Sequence, residues 1–141
     1  MAISSRSVTA RLGEAHYAVE ISARTHRIPA DEPIDDGGGD SAPRPHELLL
    51  AGLASCTLIT LRMYAERKGW ELHGLDLTVT MNREQTGREV ETDIHLAFTW
   101  PEHLTAEQCE RLTQIAQACP VHRTLTSPLR IHTTPPGSAP A

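Results

Sequence analysis

Hydrophobic and polar residues alternate in two separate stretches of the chain, and a long uncharged stretch lies between them. Val8, Ala10 and Leu12 share one face; beyond Gly13, Glu14 and Ala15, so do Tyr17, Val19, Ile21 and Ala23. A period of two on either side of a glycine-containing turn predicts a β-hairpin. The Pro-, Asp- and Gly-rich run from Pro29 to Asp40 holds no regular period and predicts a long surface loop. A helix is expected from Pro45 to Lys68: Pro45 suits a first turn, Gly69 suits the position after the last turn, and Arg67 and Lys68 complement the negative end of the dipole. Residues 48–61 carry no charge on any face, which predicts a helix buried on all sides. So short a chain has little material to surround it, so a second copy is expected to supply cover.

The second alternating stretch sets Leu75, Leu77, Val79 and Met81 on one face, then Val90, Thr92, Ile94, Leu96 and Phe98 on the return, with residues 82–87 as the turn. Trp100-Pro101 ends this hairpin, and Thr105 before Ala106 and Glu107 reads as an N-cap. Leu104, Leu112, Ile115, Ala116 and Cys119 form one stripe, and Pro120 stops or restarts the helix. Leu129 and Ile131 suggest a short last strand over 127–133, and residues 134–141 read as a disordered tail. The predicted order, β-β-α-β-β-α-β, is an α+β domain over residues 1–133.

Composition narrows the functional classes. The chain has 141 residues with 13 Lys plus Arg against 18 Asp plus Glu, a formal charge of 13 − 18 = −5. That balance, with 4% aromatics, argues against a nucleic-acid partner. Residues 1–6 lack the apolar core of a signal peptide, and the 14 uncharged residues 48–61 fall short of the roughly 20 needed to span a bilayer. A cytoplasmic protein without a membrane partner is expected. No glycine-rich phosphate loop, dinucleotide fingerprint or Gly-x-Ser-x-Gly elbow is present, so no cofactor is expected.

The three cysteines carry the candidate chemistry. Cys56 lies mid-helix between Ser55 and Thr57; it reads either as a small buried hydrophobe or as a reactive thiol. Cys119 precedes Pro120, and a new helical turn there would lower its pKa. Cys109 fits the core stripe. Cys119-x-x-His122 is half a zinc site, and the eight histidines are otherwise scattered, so no metal is expected.

Pro45-His46-Glu47-Leu48-Leu49-Leu50-Ala51-Gly52-Leu53-Ala54-Ser55-Cys56-Thr57 resembles the first-cysteine helix of the OsmC/Ohr superfamily, which comprises osmotically inducible protein C and organic hydroperoxide resistance protein. Leu61-Arg62-Met63-Tyr64-Ala65-Glu66-Arg67-Lys68-Gly69-Trp70 continues the likeness, and Cys119-Pro120-Val121-His122-Arg123-Thr124-Leu125 resembles the second-cysteine motif. Asp31-Glu32-Pro33 before the glycine run is similar to an OsmC-like branch. The resemblance covers roughly residues 11–133. It implies an intertwined homodimer and an organic hydroperoxide reductase. Cys56 would become a sulfenic acid, Cys119 would close a disulfide with it, and an external dithiol, lipoyl-type in the family, would restore both thiols. Peroxidases of this family place a Glu ten residues before the first Cys and pair it with an activating Arg. Here His46 stands at that position and Glu47 one residue later, so Glu47 is the candidate acid and Arg11, Arg24 and Arg27 the candidate cations. A second reading is a non-catalytic module of the same fold that holds a small apolar or sulfur-containing ligand at the dimer interface.

Overall fold

A computed structural model describes residues 4–138. The chain divides into two compact units, Met1–Gly52 and Leu53–Ala141. The fold is α+β, as expected, with two antiparallel sheets and three helices.

In the first unit, β1 (Thr9–Leu12), β2 (Val19–Ala23) and β3 (His26–Ala30) form one sheet in the order β1-β2-β3. The predicted hairpin is there, with Thr9 opposite Ser22 and Leu12 opposite Val19. The third strand corrects the reading of Pro29 as the start of a loop. Pro29 sits opposite Glu20 on a strand at the sheet's edge, where a missing N–H is tolerated. Arg24, with φ 55°, supplies the left-handed residue that a tight β2–β3 turn requires.

The glycine-rich loop is more ordered than its composition suggests. Asp31 is only 3% exposed. Its carboxylate accepts hydrogen bonds from the Ser41 hydroxyl at 2.6 Å, the Glu32 N–H at 2.8 Å and the Ser41 N–H at 3.1 Å. The Ser41 hydroxyl is the strongest of the influences that hold its pKa down at about 2. A Cβ on Gly38 would lie 2.0 Å from the Glu32 carbonyl oxygen, so only glycine fits this knot.

Helix α1 (Pro45–Lys68) begins and ends where the sequence predicts. Gly69 adopts φ 72°; its N–H reaches the Glu66 carbonyl at 3.1 Å, and the Trp70 N–H reaches that of Ala65 at 2.8 Å. Those two bonds are a Schellman cap. Within one chain, α1 is not buried on all sides. Only Leu53, Thr57, Leu61 and Ala65, four residues apart, are buried, while Ile59 and Met63 are more than half exposed. With 24 residues, α1 is also long and apolar enough to cross a bilayer, contrary to the estimate from residues 48–61 alone. Core helices of water-soluble proteins share that property.

In the second unit, Leu61 and Ala65 pack with Leu72, Leu112 and Ala116. Strands β4 (Asp76–Thr86) and β5 (Glu89–Thr99) pair along their full length. Their turn is Gly87-Arg88, not 82–87. Residues 82–86 and 89–93, polar apart from Val90, extend the hairpin as an exposed two-stranded arm. Helix α2 (Ala106–Ile115) starts at a capping box, in which the Thr105 hydroxyl accepts from the Gln108 N–H and the Gln108 side chain accepts from the Thr105 N–H. A 3-10 turn at Ala116–Ala118 leads to Cys119, and α3 (Pro120–Thr126) follows with Pro120 in its first turn.

Pro120 therefore restarts a helix, and the expected last strand is not formed. Leu129 and Ile131 are exposed, and residues 127–133 pair with neither sheet. Pro128 removes a donor that a strand there would need. The element order is thus β-β-β-α-β-β-α-α rather than β-β-α-β-β-α-β. Of the expected tail, Pro136–Ser138 makes a turn closed by Ser138 N–H to Pro135 carbonyl, while residues 139–141 lie outside the described residues.

Asp31 makes stability depend on pH in one direction. Its folded pKa lies below its unfolded value of 3.8, so its contribution is present above about pH 4 and is lost as pH falls towards 2. Asp31→Asn should lower the melting temperature at pH 7 and flatten its fall between pH 5 and pH 2. An Asp31→Asn variant as acid-sensitive as the wild type would show that this carboxylate does not carry the effect.

Candidate functional site

The i, i+4 stripe of α1 sets the geometry of the second unit's chemistry. Cys56 stands beside Thr57, a stripe residue, and is half-buried itself. Thr57 is fully buried, and its hydroxyl donates to the Leu53 carbonyl at 2.8 Å. Cys119 reaches the same place from the other side of the core. The 3-10 turn and Pro120 hold it in a non-helical conformation, φ −57° and ψ 128°, with no solvent exposure. The Arg123 N–H closes the first turn of α3 on the Cys119 carbonyl at 3.0 Å.

The structure brings Cys56 and Cys119 into hydrogen-bonding reach of each other, and both are free thiols. Burial pushes the Cys56 thiol up and the Cys119 thiol adds to that, against opposing hydrogen bonds from the Val121 N–H and the Thr60 hydroxyl. Burial also works to raise Cys119, but it is outweighed. The Cys56 S–H and the N–H groups of His122 and Val121 bring Cys119 below an ordinary thiol. The Cys119 side chain makes no strict capping bond to α3, so the two N–H groups act on the sulfur at longer range. Of the two thiols, Cys119 is therefore the one that loses its proton first. The sequence pointed to a lowered pKa at Cys119; the raised Cys56 follows from burial and cannot be read from spacing.

A cavity of about 230 Å³ is walled in part by Leu53 and His122, each three residues along the chain from a cysteine of this pair. Leu53, one turn before Thr57, forms part of its wall with Ile94, Leu96 and Leu125, and Thr92, His122 and Thr126 are its polar members. A larger cavity of about 490 Å³ opens along Ile59, Met63 and Leu72. No cysteine lines either one; the smaller is the candidate because its wall includes Leu53 and His122, neighbours in sequence of Cys56 and Cys119.

The remaining candidates fall elsewhere. Glu47 belongs to the first unit, in the opening turn of α1. It accepts the Arg44 N–H at 2.9 Å and lies 3.7 Å from the Arg44 guanidinium, which also lies 3.7 Å from Asp36. Arg44 is thus the cation beside the candidate acid, and it was missed in favour of Arg11, Arg24 and Arg27. The signal was its position three residues before Glu47, the spacing of a helix-start pair. Arg11 stands opposite Glu20 on β1, Arg24 forms the β2–β3 turn and Arg27 pairs with Glu20. Cys109 is half-buried on α2. Among the described residues no cluster of three or more His, Cys, Asp or Glu is placed to hold a metal.

Residues 37–134 match the family model described as OsmC-like protein. Several solved structures share the fold. An organic hydroperoxide resistance protein OsmC from Legionella pneumophila is 21% identical, with a TM-score of 0.68 over 89% of this chain and 92% of that one. An OsmC like protein from Mycoplasma pneumoniae is 23% identical, with a TM-score of 0.68 over 86% and 87%. The organic hydroperoxide resistance protein OhrB of Bacillus subtilis is 20% identical, with a TM-score of 0.65 over 89% and 93%. No curated protein matches the chain. With the family model spanning more than two thirds of its length and both cysteine motifs inside the match, the chain belongs to the OsmC-like protein family.

Proposed function

We propose that this protein is a thiol-dependent peroxidase that reduces organic hydroperoxides and serves in defence against oxidative stress. The observation that carries the reading is the Cys56–Cys119 pair, two interacting free thiols of which Cys119 is the easier to ionise. The names of the Legionella pneumophila and Bacillus subtilis relatives point the same way.

The nucleophile is Cys56, the more accessible sulfur. Cys119 first gives its proton to water; as Cys56 attacks the peroxide oxygen distal to carbon, its S–H proton passes to the Cys119 thiolate. The S–O bond forms, the O–O bond breaks, and the alkoxide takes a proton from water. Cys119 then attacks the sulfenic sulfur of Cys56. The S–S bond forms and hydroxide leaves with the Cys119 proton as water. An external dithiol, lipoyl-type in the family, restores both thiols and is itself oxidised to a disulfide. The apolar cavity walled by Leu53, Ile94, Leu96 and Leu125 suits the hydrocarbon part of such a peroxide. Glu47 enters the proposal through Arg44, as this chain's version of the family's acid–arginine pair. The same cavity also favours a second reading, a binding module for a small apolar or sulfur-containing ligand; peroxide turnover with a dithiol would rule that out.

Intact-mass measurement after cumene hydroperoxide separates the roles. Wild type and Cys109→Ser should each lose two hydrogens, Cys119→Ser should gain oxygen, and Cys56→Ser should do neither. Glu47→Gln should slow the wild-type change; an unchanged rate would leave Glu47 only its helix-capping bond. Oxygen gain by the wild type, or failure of Cys109→Ser, would break the pair assignment.

The protein is further proposed to act as a homodimer in the cytoplasm, since the apolar α1 face at Ile59 and Met63 is uncovered in one chain. Sedimentation at low micromolar concentration should give a dimer, and a stable folded monomer there would overturn this.

A further inference from the structure

Away from the thiol pair, Tyr64 stands where two cations meet one phenol. The Arg111 Nε donates to its hydroxyl at 3.0 Å. The Arg111 guanidinium carbon lies 5.6 Å from the ring centroid, and the Lys68 Nζ lies 5.7 Å from it. Trp70 meets the ring edge-on at 5.8 Å and fixes its plane. Among the described residues neither Lys68 nor Arg111 forms an ion pair with a carboxylate, so their charge acts on the phenol. Tyr64 lines a cavity of about 490 Å³ with Lys68, Arg111 and Trp70, and with Glu107 as its one carboxylate, which gives a small reagent access to the half-buried ring.

A phenol reacts with electron-seeking reagents through its phenolate. The Arg111 hydrogen bond, followed by the charges of Arg111, Lys68 and Arg67, outweighs burial and brings Tyr64 below an ordinary tyrosine. The chain has one other tyrosine, Tyr17, which is 51% exposed and has the ring of His16 as its neighbour at 5.9 Å. Exposure alone would make Tyr17 the more reactive. The cation cluster makes the opposite choice.

We propose that Tyr64 is a modification site, nitrated by nitrogen dioxide radical ahead of the more exposed Tyr17. Two radicals are consumed. The first takes one electron from the phenolate and leaves as nitrite. The second bonds to the ring carbon beside the phenol oxygen, and the hydrogen of that carbon leaves as a proton. The site is independent of the peroxidase reading, because neither cysteine of the pair takes part.

Tetranitromethane produces the same two events, since it accepts the electron and splits into nitrogen dioxide and trinitromethanide. Under limiting reagent, peptide mass spectrometry should find nitration at Tyr64 several-fold faster than at Tyr17. Arg111→Gln should remove most of that preference, and Lys68→Gln should reduce it, with circular dichroism confirming that both variants fold. Nitration of Tyr17 as fast as or faster than Tyr64 in the wild type would overturn the proposal. A preference that survives in both variants would overturn its cause.

Discussion

Burial along one face of α1 is the constraint on which the second unit depends. Leu53, Thr57, Leu61 and Ala65 recur every four residues, and the lower part of that stripe packs with Leu72, Leu112 and Ala116. Each fully buried leucine is worth about 1.5–3 kcal/mol, so Leu61 and Leu112 together outweigh any exposed ion pair in the molecule, each worth about 1 kcal/mol or less. The stripe also fixes the chemistry. The polar Thr57 within it satisfies its hydroxyl on the Leu53 carbonyl, and Cys56 stands beside it. Cys119 follows directly on Ala118, at the break that ends the 3-10 turn, and so is delivered to the same buried place by the same packing.

Much of this was legible in the chain. Two hairpins, the bounds of α1 and the Thr105 cap rest on local signals: alternation, a terminal glycine and a capping oxygen. What was not legible depends on partners distant in sequence. Strand β3 was hidden by Pro29, which is harmless only because the strand lies at an edge. Residues 82–86 read as part of a turn because they are polar and exposed throughout, so no alternation marks them as strand. Leu129 and Ile131 alternate like a strand but pair with neither sheet and stay exposed. Asp31 and Gly38 looked like loop composition, and only the folded loop reveals a buried carboxylate and a position closed to any Cβ.

The candidate site divides in the same way. Cys56 and Cys119 were readable from their motifs, whereas Arg44 was passed over because it sits in no strand or helix of its own. The protonation order of the pair was beyond any motif. It arises because Cys119 gathers donors from Cys56 and two backbone N–H groups, while Cys56 meets burial with fewer. The buried sulfur is thus the easier of the two to ionise.

That order of ionisation is open to direct titration by thiolate absorbance. In Cys56→Ser a thiol titrating below the ordinary cysteine range should remain, and in Cys119→Ala it should be lost, leaving Cys56 to titrate above that range. A low-titrating thiol that survives in Cys119→Ala and vanishes in Cys56→Ser would contradict the assignment of the more acidic thiol.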